Sequence, residues 1–98
     1  MVNYIIRVSY PAANADTFDR LNVELAKFNV AAAIKSDDGK GYFLPQGEYC
    51  YSGNETINEV RDAVFRLSST IQPEPQVLVV EVTTLSWAGF KLVEGVAA

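Results

Sequence analysis

Few residues of this chain could do chemistry, because it has no histidine and a single cysteine, Cys50. Without an imidazole, the usual general base and the commonest metal ligand are missing. No Ser-His-Asp or Cys-His arrangement can be built. One cysteine excludes an internal disulfide and every cysteine-cluster zinc site. Nothing near Cys50 in sequence would lower its pKa, so it reads as a small core side chain rather than a nucleophile. Tyrosine, arginine and carboxylate remain. Tyr49 and Tyr51 share one side of a short extended segment, Tyr4 and Tyr10 share one side of another, and Arg7 has the opposite parity. An open sheet face bearing tyrosines and an arginine can stack unpaired bases and hold phosphate, which makes Arg7, Tyr49 and Tyr51 candidate contacts for single-stranded RNA. The same residue types are favoured at protein interfaces, and the plainest alternative is a partly buried sheet face. Asp37, Asp38 and Glu48 could gather around a hard cation, but adjacent aspartates in a turn read first as solvated turn formers, and no metal or cofactor is assigned. The run Asp37-Asp38-Gly39-Lys40-Gly41 lacks the Lys-Ser/Thr ending of a phosphate loop and leads into an extended segment, so it reads as a hairpin turn.

The elements that must position these residues are legible from periodicity. Residues 3–10 alternate, with Tyr4, Ile6, Val8 and Tyr10 on one parity, and Pro11 ends the strand. Phe18, Leu21, Leu25 and Phe28 recur at helical spacing over residues 16–28, with Asn14 or Asp16 as cap and Asn29 as a left-handed stop. Residues 30–52 read as a hairpin with a long, irregular tip: a small-residue strand at 30–35, the turn cluster, an extended stretch at 42–44 and a short strand at 48–51. Thr56-Ile57-Asn58-Glu59 is a capping box. It opens a second helix carrying Val60, Val64, Leu67 and Ile71, which Pro73 and Pro75 follow. Residues 76–84 are the most strand-like in the chain, and their near-continuous apolar run predicts a central place in the sheet.

The resulting order is β-α-β-β-α-β, which predicts an α+β, ferredoxin-like sandwich with two helices on one face of a four-stranded sheet and the first and last strands side by side in its centre. The core is expected at residues 3–84, with residues 85–98 as an apolar C-terminal extension carrying Trp87 and Phe90. That tail is expected either to fold over the sheet or extend an edge of its own chain, or else to cross to a second subunit, with Trp87 and Phe90 at a homodimer interface.

Composition narrows the classes further. Ninety-eight residues, 49% hydrophobic and 20% charged, make one globular domain with one core. Twelve acidic residues against eight basic ones leave a net charge of -4, which disfavours tight, non-specific nucleic-acid binding. No apolar run is long enough for a membrane span, and the opening Met-Val-Asn-Tyr has no basic stretch. The expectation is a cytoplasmic domain without a signal peptide or membrane partner.

Asn3-Tyr4-Ile5-Ile6, Tyr10-Pro11, Phe18-Asp19-Arg20-Leu21, Asn29-Val30, Asp38-Gly39, Leu44, Glu59-Val60, Asp62 and Val64 fall in an order that resembles the GhoS family of small antitoxins, over about residues 3–67. Tyr-Pro after the first strand and Phe-x-Arg-Leu in the first helix are the better markers. The resemblance implies a ferredoxin-like endoribonuclease, related in fold to the small nuclease subunit of CRISPR adaptation, that protects the cell by cutting the messenger of a small membrane toxin. It also implies a catalytic role for Arg20 and a kept aromatic at Tyr49. A second family arginine, implicated in activity, falls on Asn22, which removes a positive group that could stabilise a phosphorane-like transition state.

Two functions follow as expectations. One is a toxin–antitoxin endoribonuclease that uses Arg20, and Arg7 beside it, to hold the phosphate of single-stranded RNA; this requires a basic patch around the two arginines. The other is a non-enzymatic, acidic, phage- or plasmid-borne inhibitor of a nucleic-acid-binding defence protein, in the manner of an anti-CRISPR protein, whose carboxylates steer it to a basic groove.

Overall fold

The computed structural model describes residues 1–93. The first strand, β1 (Val2–Ser9), forms because every second residue is apolar or aromatic, and the structure buries that parity: Tyr4, Ile6 and Val8 are all sealed from solvent, with Tyr10 just beyond the strand end. β1 is the middle of a three-stranded antiparallel sheet. On one side it pairs with β4 (Glu48–Gly53), with Tyr4 opposite Tyr51 and Ile6 opposite Tyr49. On the other it pairs with β5 (Gln76–Val82), with Ile6 opposite Val79 and Val8 opposite Val77.

Helix α1 (Ala15–Ala26) starts at the Asn14 side chain, which accepts from the backbone N–H groups of Asp16 and Thr17. The Thr17 hydroxyl also donates to the Gln72 side chain at 2.8 Å, tying the start of α1 to the end of the second helix. After the helix, Asn29 takes φ 63°, the left-handed conformation that turns the chain toward Val30. Helix α2 (Ile57–Ile71) begins with the expected reciprocal cap between Thr56 and Glu59. Both helices lie on the Tyr4–Ile6–Val8 side of the sheet. Phe18, Leu21 and Leu25 from α1 and Val60 and Val64 from α2 close the core over it, with Val77 and Val79 of β5 packed alongside. Phe28, expected in the α1 stripe, lies past the end of the helix and is 64% exposed.

Between α1 and β4 the chain makes a small hairpin of its own, β2 (Ala33–Lys35) with β3 (Gly41–Phe43). Just ahead of β2, Ala31 pairs with Cys50 through two backbone hydrogen bonds, of 3.0 and 2.9 Å, which brings the β2 segment beside β4. The return from β3 to β4 passes through Gly47 at φ 83°, whose carbonyl accepts from the Val8 N–H; a Cβ there would stand 2.6 Å from the Val8 carbonyl oxygen, so the turn requires glycine.

The protein is thus a small α+β structure with two helices and antiparallel sheets. First and last strands are neighbours as expected, but β5 is an edge strand rather than a central one. Its apolar run covers two separate needs: Val77 and Val79 face the helices, whereas Leu78 and Val80 lie on the opposite face, 55% and 46% exposed. The tail extends an edge of its own chain. Phe43 N–H donates to the Lys91 carbonyl and Val93 N–H to the Gly41 carbonyl, which adds residues 91–93 to the β2–β3 hairpin as a third line of chain. Trp87 packs in the same chain against Tyr42, with ring centroids 5.9 Å apart, and stacks with Phe90 at 6.2 Å and 11°. Residues 94–98 of the expected extension lie outside the described residues.

Candidate nucleic-acid interface

The cross-strand register decides where each predicted contact residue goes. Tyr49 and Tyr51 sit opposite Ile6 and Tyr4, so they belong to the face the helices cover. Tyr49 is 0% exposed, with its hydroxyl donating to Asn22 Oδ1 at 2.6 Å, and cannot stack on a base. Burial pushes its phenol far above the usual tyrosine range, so it stays protonated. Tyr51 is half-buried and donates to both carboxylate oxygens of Glu55 at 2.8 Å. That bond holds the Glu55 carboxyl below its ordinary range and raises the Tyr51 phenol. The expected open tyrosine platform therefore does not exist; these rings build the core and tie it to the helices.

Arg7 does point away from the helices. It is on the opposite face, with a 65% exposed side chain that donates to Glu48 at 3.4 Å. Arg20 is on α1, on the other side of the sheet, 55% exposed, with Asp16 4.0 Å away. The two arginines thus do not form one basic patch. Asn22 and Tyr49, 27 residues apart in sequence, do meet. No group of three metal-ligating side chains clusters among the described residues. Asp38 is taken up by the turn itself: it accepts from the Ser36 hydroxyl and the Lys40 N–H, and the first of these bonds does most to lower its carboxyl. Cys50 donates from its thiol to the Ala33 carbonyl at 3.0 Å, and burial raises its pKa, so it is no nucleophile at neutral pH.

The surface of the described residues also carries a cleft and a groove. A cleft of about 610 Å³ opens on the face opposite the helices, between the Asn3, Ile5, Cys50 and Ser52 side of the sheet, the end of β2, and the chain from Val82 to Trp87. A groove of about 450 Å³ lies between the helices, floored by Leu25, Val60, Val64 and Leu67, with Phe28 at one end and Glu55 and Glu59 at another. Neither was foreseen. The cleft depends on where the tail crosses, and no periodicity reports that; the groove had one available signal, Phe28 at the end of an otherwise buried stripe.

No protein-family model matches the chain, and no curated protein is similar to it in sequence. No helix among the described residues is long and apolar enough to cross a membrane.

Proposed function

We propose that this chain is a ferredoxin-like protein of the GhoS type that binds single-stranded RNA and cuts it weakly, with Arg20 alone holding phosphate in place of the expected Arg7–Arg20 patch, which the separation of the two side chains on opposite sides of the sheet rules out. The observation that carries this is the contact between Tyr49 and Asn22. These are two of the positions that the resemblance singles out, and their meeting in space supports its register. The ferredoxin-like reading is supported by the strand order β4-β1-β5, extended beyond β4 by the Ala31–Cys50 bridge; β3 and residues 91–93 are then an addition to that frame. With Asn22 in place of an arginine and its amide oxygen engaged by Tyr49, Arg20 is the one family cation left to oppose charge on a pentacovalent phosphate. The test is purified protein with unstructured RNA, with and without Mg²⁺. Weak cleavage that falls further in Arg20→Ala and rises in Asn22→Arg is the expected result. Cleavage undiminished in Arg20→Ala removes the site assignment, and no RNA retained at low salt removes the reading.

A second reading, the acidic inhibitor of a basic protein, is favoured by the end of the molecule where Glu55, Glu59 and Glu81 surround Tyr4 closely enough to add to the effect of burial in raising its phenol pKa. It predicts no RNA retention and salt-sensitive binding to a cationic protein surface. We further propose a homodimer, either through Trp87 and Phe90 or through the outer edge of β5, which pairs with no strand among the described residues; light scattering at high concentration reading the monomer mass overturns it.

A further inference from the structure

We infer that the cleft between the open sheet face and the crossing tail is a pocket for one unpaired nucleobase, with Trp87 as its stacking wall. Its chemistry selects the ligand class. The lining alternates apolar and polar: Ile5 and Cys50 on the sheet, the Asn3 amide and the Ser52 and Thr83 hydroxyls around them, and the indole of Trp87 on the tail side. Among the described residues, Lys35 and Asp37, of opposite sign, are its only charged side chains. A polyanion finds no set of cations inside, and a rim that carries the bonded Asn3 amide and Ser52 hydroxyl together with the Thr83 hydroxyl is too polar for an acyl chain. A flat heteroaromatic ring with donors and acceptors on its edge meets both requirements: the ring lies on the indole, and the edge reaches the amide and hydroxyls. The volume, about 610 Å³, falls in the range of small-molecule sites. Lys35, on the last residue of β2 and exposed, stands where a phosphate left outside the cleft would need a cation. Trp87 is held for this role by Tyr42 and Phe90, and the backbone bonds of Lys91 and Val93 to β3 fix the tail that carries it.

The nucleobase chemistry is shared by a free mononucleotide and by one residue of a single-stranded RNA, and the RNA source rests on the function proposed above. Trp87 is the only tryptophan in the chain, so its fluorescence reports on the cleft alone. The experiment titrates the full chain with uridine, UMP, AMP, an unstructured oligonucleotide RNA and cellobiose, and follows RNA independently by fluorescence anisotropy of a labelled strand. Quenching of Trp87 by the nucleotides and the RNA is expected. Ser52→Tyr, which puts a bulky ring at the sheet side of the cleft and leaves Tyr42, Trp87 and Phe90 unchanged in sequence, is expected to weaken both about tenfold or more, in line with the loss of one stacked base. Lys35→Gln is expected to weaken UMP while leaving uridine unchanged. RNA that binds by anisotropy with Trp87 silent and Ser52→Tyr without effect overturns the pocket and leaves the RNA reading standing. Nucleotide quenching without RNA binding supports the pocket and overturns the RNA reading. Quenching by cellobiose alone, or by none of these ligands, overturns the pocket.

Discussion

The two faces of the β4-β1-β5 sheet use different residue types for different purposes. On the helix side, Tyr4, Tyr10, Tyr49 and Tyr51 all bury much of their rings and all commit their hydroxyls: Tyr4 to the Glu55 carbonyl at 2.6 Å, Tyr10 to the Ser68 carbonyl at 2.8 Å, Tyr49 to Asn22, and Tyr51 to the Glu55 carboxylate. Each phenol crosses from the sheet region to a helix or to the turn that leads into one. A large apolar ring with one polar end is suited to this, because it fills the layer and still satisfies a group on its far side. On the opposite face the side chains are shorter or looser: Ser9 bonds Gln76, Ser52 bonds Asn3, Arg7 reaches Glu48, and Leu78 and Val80 meet solvent. The first face holds the fold together, and the second is the one on which the proposed nucleobase cleft opens.

Core and surface substitutions should separate these faces widely. Tyr49→Ala is expected to cost about 3–5 kcal/mol, the range for emptying an aromatic site in a core, whereas Leu78→Ala is expected to stay within about 0.5 kcal/mol. Urea midpoints at unchanged slope measure both, and equal losses would break the comparison. Alkaline pH should act chiefly on the helix side, with the half-buried Cys50 thiol adding a smaller effect from the other face. Burial raises the phenol pKa values of Tyr4, Tyr10 and Tyr49, so the folded state keeps protons that the unfolded chain gives up. Their stabilisation is complete below the unfolded value of about 10 and is lost as pH rises through the folded values. Stability followed from pH 8 to 12 should fall from about pH 10, and Tyr49→Phe should flatten that fall. Tyr10→Phe leaves the Ser68 carbonyl without its side-chain donor and is expected to cost about 1–2 kcal/mol at neutral pH, read from the same urea curves. The reciprocal cap of α2 predicts about 1 kcal/mol for Thr56→Ala. The smallest effect belongs to the open face: the Arg7–Glu48 pair is exposed, and a double-mutant cycle with Arg7→Ala and Glu48→Gln is expected to give a coupling below about 1 kcal/mol that shrinks in salt.

Much of this frame was legible beforehand. The Tyr4/Ile6/Val8 parity, the Leu21–Leu25 stripe, the Thr56–Glu59 cap and the left-handed Asn29 are local signals, each confined to a few neighbouring residues, and the structure follows them. The failures are all relational. Alternation says that Tyr49 and Tyr51 share a side but not which side; that needs the register that sets Tyr51 against Tyr4. Had the buried parity of β1 been carried across to its partner strand, both rings would have been placed under the helices. The apolar run of β5 looked like burial on two faces, but an edge strand covered on one side only shows the same composition. Phe28 continued the helical count past Ala26, where α1 ends with Lys27 as its cap, just before Asn29 turns the chain. The tail could be recognised as apolar, but its pairing with β3 joins residues about fifty positions apart, which no window of sequence contains.

The place of β1 in the middle of its sheet also governs how quickly the molecule can assemble. Its two partners arrive late in the chain; the bond between Ser9 and Gln76 closes a separation of 67 residues. Closing a loop of that length loses conformational freedom before the sheet returns any stability. Chains dominated by such distant pairings cross their barrier in milliseconds to seconds rather than microseconds. Until β4 and β5 dock, both edges of β1 stay unsatisfied, and its alternating apolar surface is what a neighbouring unfolded chain would find first.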